Sequence, residues 1–217
     1  MVTRYDPAGL QGEFEPGSRS RVLRNLLGIR RVRDIHAAES EALVLAQRQA
    51  LEHFSENHRF TAADVCLLHR MWLGPIYAWA GEYRSVNIGK GGFQFAHAQR
   101  VPDLMAEWQR GPLAQHTPCR LTDPTQVARA LAVVHGELIL IHPFREGNGR
   151  VARLLALLMG LQAGLPPMDF SPLEGRGKAA YIAGIHAALD RDYQPLALLF
   201  TRVIERTWKR HAASSAG

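Results

Sequence analysis

Apolar side chains return along this chain at helical spacing far more often than they alternate. From Asp34 to Phe54, Ile35, Ala38, Ala42, Leu45 and Leu51 recur roughly once per turn and predict an amphipathic helix. Thr61 followed by Asp64 is a capping-box pair; it opens a second helix that ends before Gly74, and Pro75 begins a short one carrying Ile76, Tyr77 and Trp79. Over 81–97, GEYRSVNIGKGGFQFAH, the period breaks. Tyr83, Val86, Ile88, Phe93 and Phe95 flank Gly-Lys-Gly-Gly there, a hairpin signal. Helix returns over 101–108. Asp123-Pro124 then supplies a cap and a first-turn proline to a helix whose stripe, Val127, Leu131, Val134, Leu138 and Ile141, runs up to His142. Another apolar run starts at Val151, and two helices close the chain near 177–189 and 194–209. The predicted fold class is all-α with one small β-hairpin. Its parts are a basic arm packed on the domain (1–33), the helical domain (34–210) and a disordered tail (211–217).

Composition changes this picture little. A chain of 217 residues, 47% hydrophobic and 21% charged, can bury one ordinary core. The longest apolar stretch, starting at Val151, contains Arg153 and is too short to span a bilayer, and the N-terminus has no signal-like apolar run. A cytoplasmic protein is expected. Cys66 and Cys119 are isolated and read as reduced, buried thiols rather than a metal cluster or disulfide. The net charge of +6 favours an anionic partner. Much of it lies in RSRVLRNLLGIRRVR, residues 19–33, which has no interleaved aromatics and reads as a solvated arm rather than a nucleic-acid surface.

The chemistry concentrates between two apolar runs, in HPFREGNGRVAR, residues 142–153. Pro143 disfavours helix for the residue before it, so the first helix should end near His142. Gly147-Asn148-Gly149 can adopt turns closed to bulkier residues, and a helix restarts at once. The free N–H groups of that helix start, with the loop amides, would make an anion site. Arg150 and Arg153 are three apart and can converge on a polyphosphate. Glu146 beside such a site calls for a cation, and Mg²⁺ is held by one or two carboxylates plus phosphate oxygens. His142 can take a proton from an incoming hydroxyl. Phe144 reads as a plug. Singly, each residue is more often structural; together they describe in-line attack on a nucleotide phosphate.

These same residues, His142, Phe144, Glu146, Gly147, Asn148, Gly149, Arg150 and Arg153, match HxFx[D/E]GNGRxxR, and the chain resembles the Fic family on that motif. The resemblance is strongest over 129–165 and extends to the hairpin. It implies a Fic-type helical domain that transfers AMP from ATP to a Ser, Thr or Tyr hydroxyl of a target protein, with pyrophosphate leaving. By it, His142 is the general base and Glu146 holds Mg²⁺. Gly147, Asn148 and Gly149 cradle phosphates, Arg150 and Arg153 neutralise them, and the hairpin is a target-binding flap with Lys90, Gly91 and Gly92 near its tip. Tyr181 aligns with a residue near the base, while Leu189 stands where relatives often have asparagine, so another nucleotide or phosphate-containing donor remains an alternative. Gly149, where a phosphate-transferring branch has lysine, places the chain on the nucleotidyl side. Type II topoisomerases and GTPases are target classes the resemblance brings with it, as is a toxin-like role.

Many relatives carry an inhibitory [S/T]xxxE[G/N] helix. Thr201 and Glu205 have its spacing, but Arg206 follows; Ser171 to Glu174-Gly175 is one residue short. The expectation is therefore no built-in brake and restraint by a separate, small antitoxin-like protein. His135, seven residues before His142, reads as a core histidine rather than a metal ligand. Two other functions compete with the enzyme: a nucleotide-responsive binding protein that transfers nothing, which would need no base at His142, and a nucleic-acid binder using 19–33.

Overall fold

The computed structural model describes residues 10–215, and the first nine residues of the arm and the last two of the tail lie outside them. The elements follow the hydrophobic period closely. Helix α1 is Val32–His53 and α2 is Ala62–Leu73. Thr61 caps α2 through a complete capping box, its hydroxyl accepting from the Asp64 N–H while Asp64 accepts from the Thr61 N–H. The hairpin is β1 (Gly89–Lys90) paired antiparallel with β2 (Phe93–Gln94), Lys90 opposite Phe93. Its turn glycines, Gly91 and Gly92, both have positive φ (59° and 84°), which a two-residue hairpin turn of this hand requires. Helix α3 (Val101–Trp108) passes through a wider π turn, Gln109–Leu113, into a last turn, α4 (Ala114–His116). Then come α5 (Pro124–Ile141), α6 (Asn148–Gln162), α7 (Lys178–Ala187) and α8 (Gln194–Ser215). No helix among the described residues is long and apolar enough to cross a membrane.

Helix α5 is the axis of the core. Val127, Leu131, Val134 and Leu138 are at most 1% exposed, and the apolar faces of α2, α3, α6 and α8 close around them. A second cluster, built on Trp72, Leu73, Ile76, Tyr77 and Trp79, receives Ile35 and Ala46 of α1 and Val22 of the arm. Residues 10–31 lie against the domain: the Leu26 N–H donates to the Ile76 carbonyl, and Phe14 bridges Leu23.

Three sequence expectations change. Leu45 and Leu51 face solvent (58% and 48% exposed), and the buried line of α1 is Ile35, Glu39, Ala46 and Ala50. Small residues let α1 approach its neighbours closely, and Glu39 is inside because it is fully partnered, as shown below. Residues 74–81 are successive turns rather than a short helix after Pro75, Ile76 and Tyr77 both donating to the Leu73 carbonyl. Helix α8 runs on through Ser215, so helix replaces the tail expected from 211 as far as the description reaches. The segment HAAS contains good helix formers, and Ser214 bonds back to the Arg210 carbonyl at 3.1 Å.

Candidate active site

His142 ends α5 in the left-handed conformation (φ 52°, ψ 61°), its N–H still bonded to the Leu138 carbonyl. Its Nδ1 lies 3.2 Å from the Ile139 carbonyl oxygen, which can only accept. The proton therefore sits on Nδ1, and no bond among the described residues takes the Nε2 lone pair. Burial lowers the His142 pKa to about 4, with the Ile139 bond opposing. The imidazole is thus neutral well below pH 7. Phe95 of the flap stacks on it, ring centroids 3.7 Å apart.

The loop after His142 is held from within. Asn148 is 3% exposed, its Oδ1 accepting from the Phe144 N–H and its Nδ2 donating to the Phe144 carbonyl, both at 2.8 Å. Its side chain closes the loop rather than reaching a phosphate, so its backbone amide is what it has to offer. Phe144 is fully buried, the plug its setting predicted, and stacks on His69 at 3.9 Å. Gly147 caps α6 in the left-handed region, and at Gly149 an added Cβ would meet nothing within 4 Å. Gly147 and Asn148 are buried and Gly149 is half-buried, so the room for a phosphate at the start of α6 lies beside Gly149.

The two arginines diverge. Arg150 stacks over Trp72 at 4.5 Å, and its Nη1 is 2.8 Å from the buried Glu39 carboxylate, with Glu146 at 3.5 Å. Much of its charge is answered inside the protein. Among the described residues Arg153 has one ion-pair partner, Glu174 at 3.7 Å, with Glu174 61% exposed. Such a pair is worth under about 1 kcal/mol, so an arriving phosphate can displace it. Both arginines line a cavity of about 340 Å³ between α1 and the 169–174 turn. Glu146 is exposed, and its Oε1 accepts from the Gly147 N–H at 2.9 Å. One carboxylate beside that helix start fits Mg²⁺ arriving with phosphate oxygens; among the described residues no group of three or more His, Cys, Asp or Glu gathers into a cage.

Lys90, Gly91 and Gly92 are exposed at the flap tip, and the flap leans across to α7 through Phe93 stacked on His186 at 5.0 Å. The Tyr181 hydroxyl is 2.7 Å from Nε2 of the buried His135, so its polar end is turned into the core. Cys119 is buried, Cys66 half-buried, and both are free. Glu205 is exposed on α8, and Thr201 bonds back to the Ala197 carbonyl.

Sequence reasoning missed four supporting residues. His69 accepts the Gly81 N–H at Nδ1 (2.8 Å), which makes Nε2 the donor to the Glu146 carbonyl (3.0 Å). Gln11 of the arm accepts from the Ser85 N–H and donates to the Tyr83 carbonyl, while its own carbonyl takes Arg145 Nε at 2.8 Å. Glu39 and Arg84 complete the set. A lone polar residue on an apolar helix face was the available signal for Glu39 and His69; nothing local marked Gln11 or Arg84.

A helical domain that presents a neutral imidazole beside a glycine-lined helix start has the groups to receive a phosphate and to take up a proton beside it. Residues 59–159 match the model of the Fic/DOC family, so the chain carries a domain of that family. It is 31% identical over 159 residues to protein adenylyltransferase fic-1 of Caenorhabditis briggsae, covering 72% of this chain and 29% of that protein. It is 31% identical over 143 residues to protein adenylyltransferase VbhT of Bartonella schoenbuchensis, covering 66% and 30%. The chain thus spans less than a third of either relative. Among solved structures, the N-terminal Fic domain of a Bartonella effector protein (Bartonella sp. AR 15-3) superposes with a TM-score of 0.73 at 18% identity, covering 94% of this chain and 93% of that one. The BepC protein of Bartonella tribocorum, crystallised with bound AMPPNP, gives 0.70 at 22%, covering 89% and 96%. The fold is that of Fic domains.

Proposed function

We propose that the chain is a protein adenylyltransferase, transferring AMP from ATP to a side-chain hydroxyl of a target protein. The observation that carries this is His142: a neutral imidazole with Nδ1 committed to Ile139 and Nε2 unbonded among the described residues, beside the start of α6. Binding alone would need no such base. In the reaction, Nε2 takes the proton of a Ser, Thr or Tyr hydroxyl. Its oxygen bonds to the α-phosphorus as the bond to pyrophosphate breaks, and pyrophosphate leaves. The Asn148 and Gly149 amides and Arg153 stabilise charge on the phosphates. Glu146 would hold Mg²⁺, which when bound supplies further neutralisation of phosphate charge. The relatives' names support the reaction class. The exposed flap edge, at Lys90 to Gly92, is where an extended target segment would pair. A cytoplasmic setting and a toxin-like role, with restraint by a separate antitoxin-like protein, belong to the same proposal.

Incubation with α-labelled ATP and lysate should label this chain or a lysate protein. His142→Ala should lower that label by about 10²–10⁴-fold. Nucleotide binding without transfer would favour the non-transferring alternative instead. Glu205→Gly should leave the label unchanged; a sharp rise would mean that α8 is an internal brake. The Tyr181 hydroxyl is taken by His135 and so offers no hydrogen bond to a base, which leaves the choice of donor to assay. Labelled UTP or CTP in the same assay decides it.

A further inference from the structure

Arg84 is 2% exposed, yet none of the ion pairs among the described residues includes it. Its guanidinium serves carbonyls instead. Nε donates to His142 at 2.7 Å, Nη1 to Val86 at 2.8 Å, and Nη2 to Ala96 and, at 3.4 Å, to Ile141. Its backbone N–H donates to the Pro143 carbonyl at 2.8 Å. Val86 and Ala96 stand on opposite legs of the flap. Ile141 and His142 are the end of α5, where the helix dipole favours a cation. Burial pulls the Arg84 pKa below the usual guanidinium value, which a structural plug would escape by being apolar. Four acceptors spread over two elements need a planar fork of several N–H groups, which only arginine carries.

The carbonyl that Nε takes belongs to a residue with φ 52°, a conformation that side-chain-bearing residues adopt at a cost. Directly above it, Phe95 of the flap lies within 18° of parallel to the imidazole. We infer that Arg84 is a positioning residue: it fastens both legs of the flap to the last turn of α5 and so holds Phe95 over the His142 ring and the ring in its turned-out pose. This rests on the reading of His142 as the base. Flap and base then form one unit, and a target seated on the flap is seated relative to Nε2.

The experiment is Arg84→Lys, whose single nitrogen cannot serve four carbonyls, with Phe95→Leu as reference. In the parent, the Phe95 ring current should displace the His142 Cε1 proton resonance. In Arg84→Lys it should move to its position in Phe95→Leu. The Phe95 amide, bonded to the Ile88 carbonyl at 3.2 Å, should exchange at least about tenfold faster while amides within α5 keep their protection. In the transfer assay kcat should fall by at least about tenfold, with KM for ATP changing under about twofold. An unchanged His142 resonance and Phe95 exchange, with only the melting temperature lowered, would reduce Arg84 to a structural residue. If Arg84→Lys does not fold, the parent decides: the guanidinium protons and the Phe95 amide should open together in native-state exchange, and independent opening overturns the inference. Resonance and exchange need no nucleotide, so a parent chain that transfers nothing would sink the adenylyltransferase reading, while those two readouts would still decide whether Arg84 holds the flap against His142.

Discussion

Gly147 meets two demands at once. Its φ is +85°, and a Cβ there would lie 2.6 Å from Trp72 Cζ3 and 3.2 Å from Leu73 Cδ1. Gly147→Ala would add left-handed strain to a clash with a fully buried ring, and should cost about 2–4 kcal/mol. Gly149→Ala is the comparison, with nothing within 4 Å of its Cβ, and should change stability by under about 1 kcal/mol. Urea unfolding of the two variants measures this, and equal losses would refute the Trp72 contact. The motif was legible as a motif, but its division of labour was not. Asn148 and Arg150 carry the right groups for phosphate, yet Asn148 locks the loop to Phe144 and Arg150 reaches Glu39. Residue types show what a side chain can bind; the partner that wins is set by what the fold brings beside it.

At the scale of elements, the helical period placed α1, α2, α5 and α8, and the Gly-Lys-Gly-Gly run placed the hairpin. The inward face of α1 was harder to read, because it is marked by a carboxylate and alanines rather than by its leucines. Glu39 binds three elements together there. Its carbonyl accepts from Trp72 Nε1, its Oε1 from the Tyr77 hydroxyl and its Oε2 from Arg150 Nη1, each at 2.8 Å. The Glu39 side chain is 4% exposed and that of Arg150 28%. Removing the carboxylate leaves a half-buried guanidinium and a buried phenol without their partner. Glu39→Ala should therefore cost about 2–4 kcal/mol in urea unfolding, below the full figure for a buried pair because water reaches Arg150. A loss within about 0.5 kcal/mol would mean that α1 is held by its alanine face alone.

The molecule as a whole is joined by contacts too distant along the chain to leave a local pattern, such as Gln11 to Arg145, 134 residues apart. Its response to acid is also a property of the whole. Two imidazoles, His69 and His135, are buried and that of His142 is half-buried: His69 and His142 fall to about 4 and His135 to about 3, each chiefly through burial, which outweighs the Glu146 charge acting on His69 and His142. In the unfolded chain they titrate near 6.5. Between those limits the unfolded state binds protons that the folded state refuses, so stability rises with pH across the window and falls on acidification. With all three engaged the slope approaches about 4 kcal/mol per pH unit near pH 5. The slope from these groups fades through pH 7 and is nearly gone by about pH 8, well above the unfolded value. The net charge of +6, already positive with His neutral, grows as carboxylates protonate and adds self-repulsion in the same direction. The chain should therefore unfold on acidification before the imidazole of the folded His142 titrates, and the acid limb of AMP transfer should follow loss of structure rather than protonation of the base. Urea midpoints and transfer rates measured on the same samples from pH 7.5 to 5 test this. Constant midpoints over that range would show that these imidazoles take up protons in the folded chain, and a rate that fell near pH 6.5 with the midpoints unmoved would assign the limb to His142 itself.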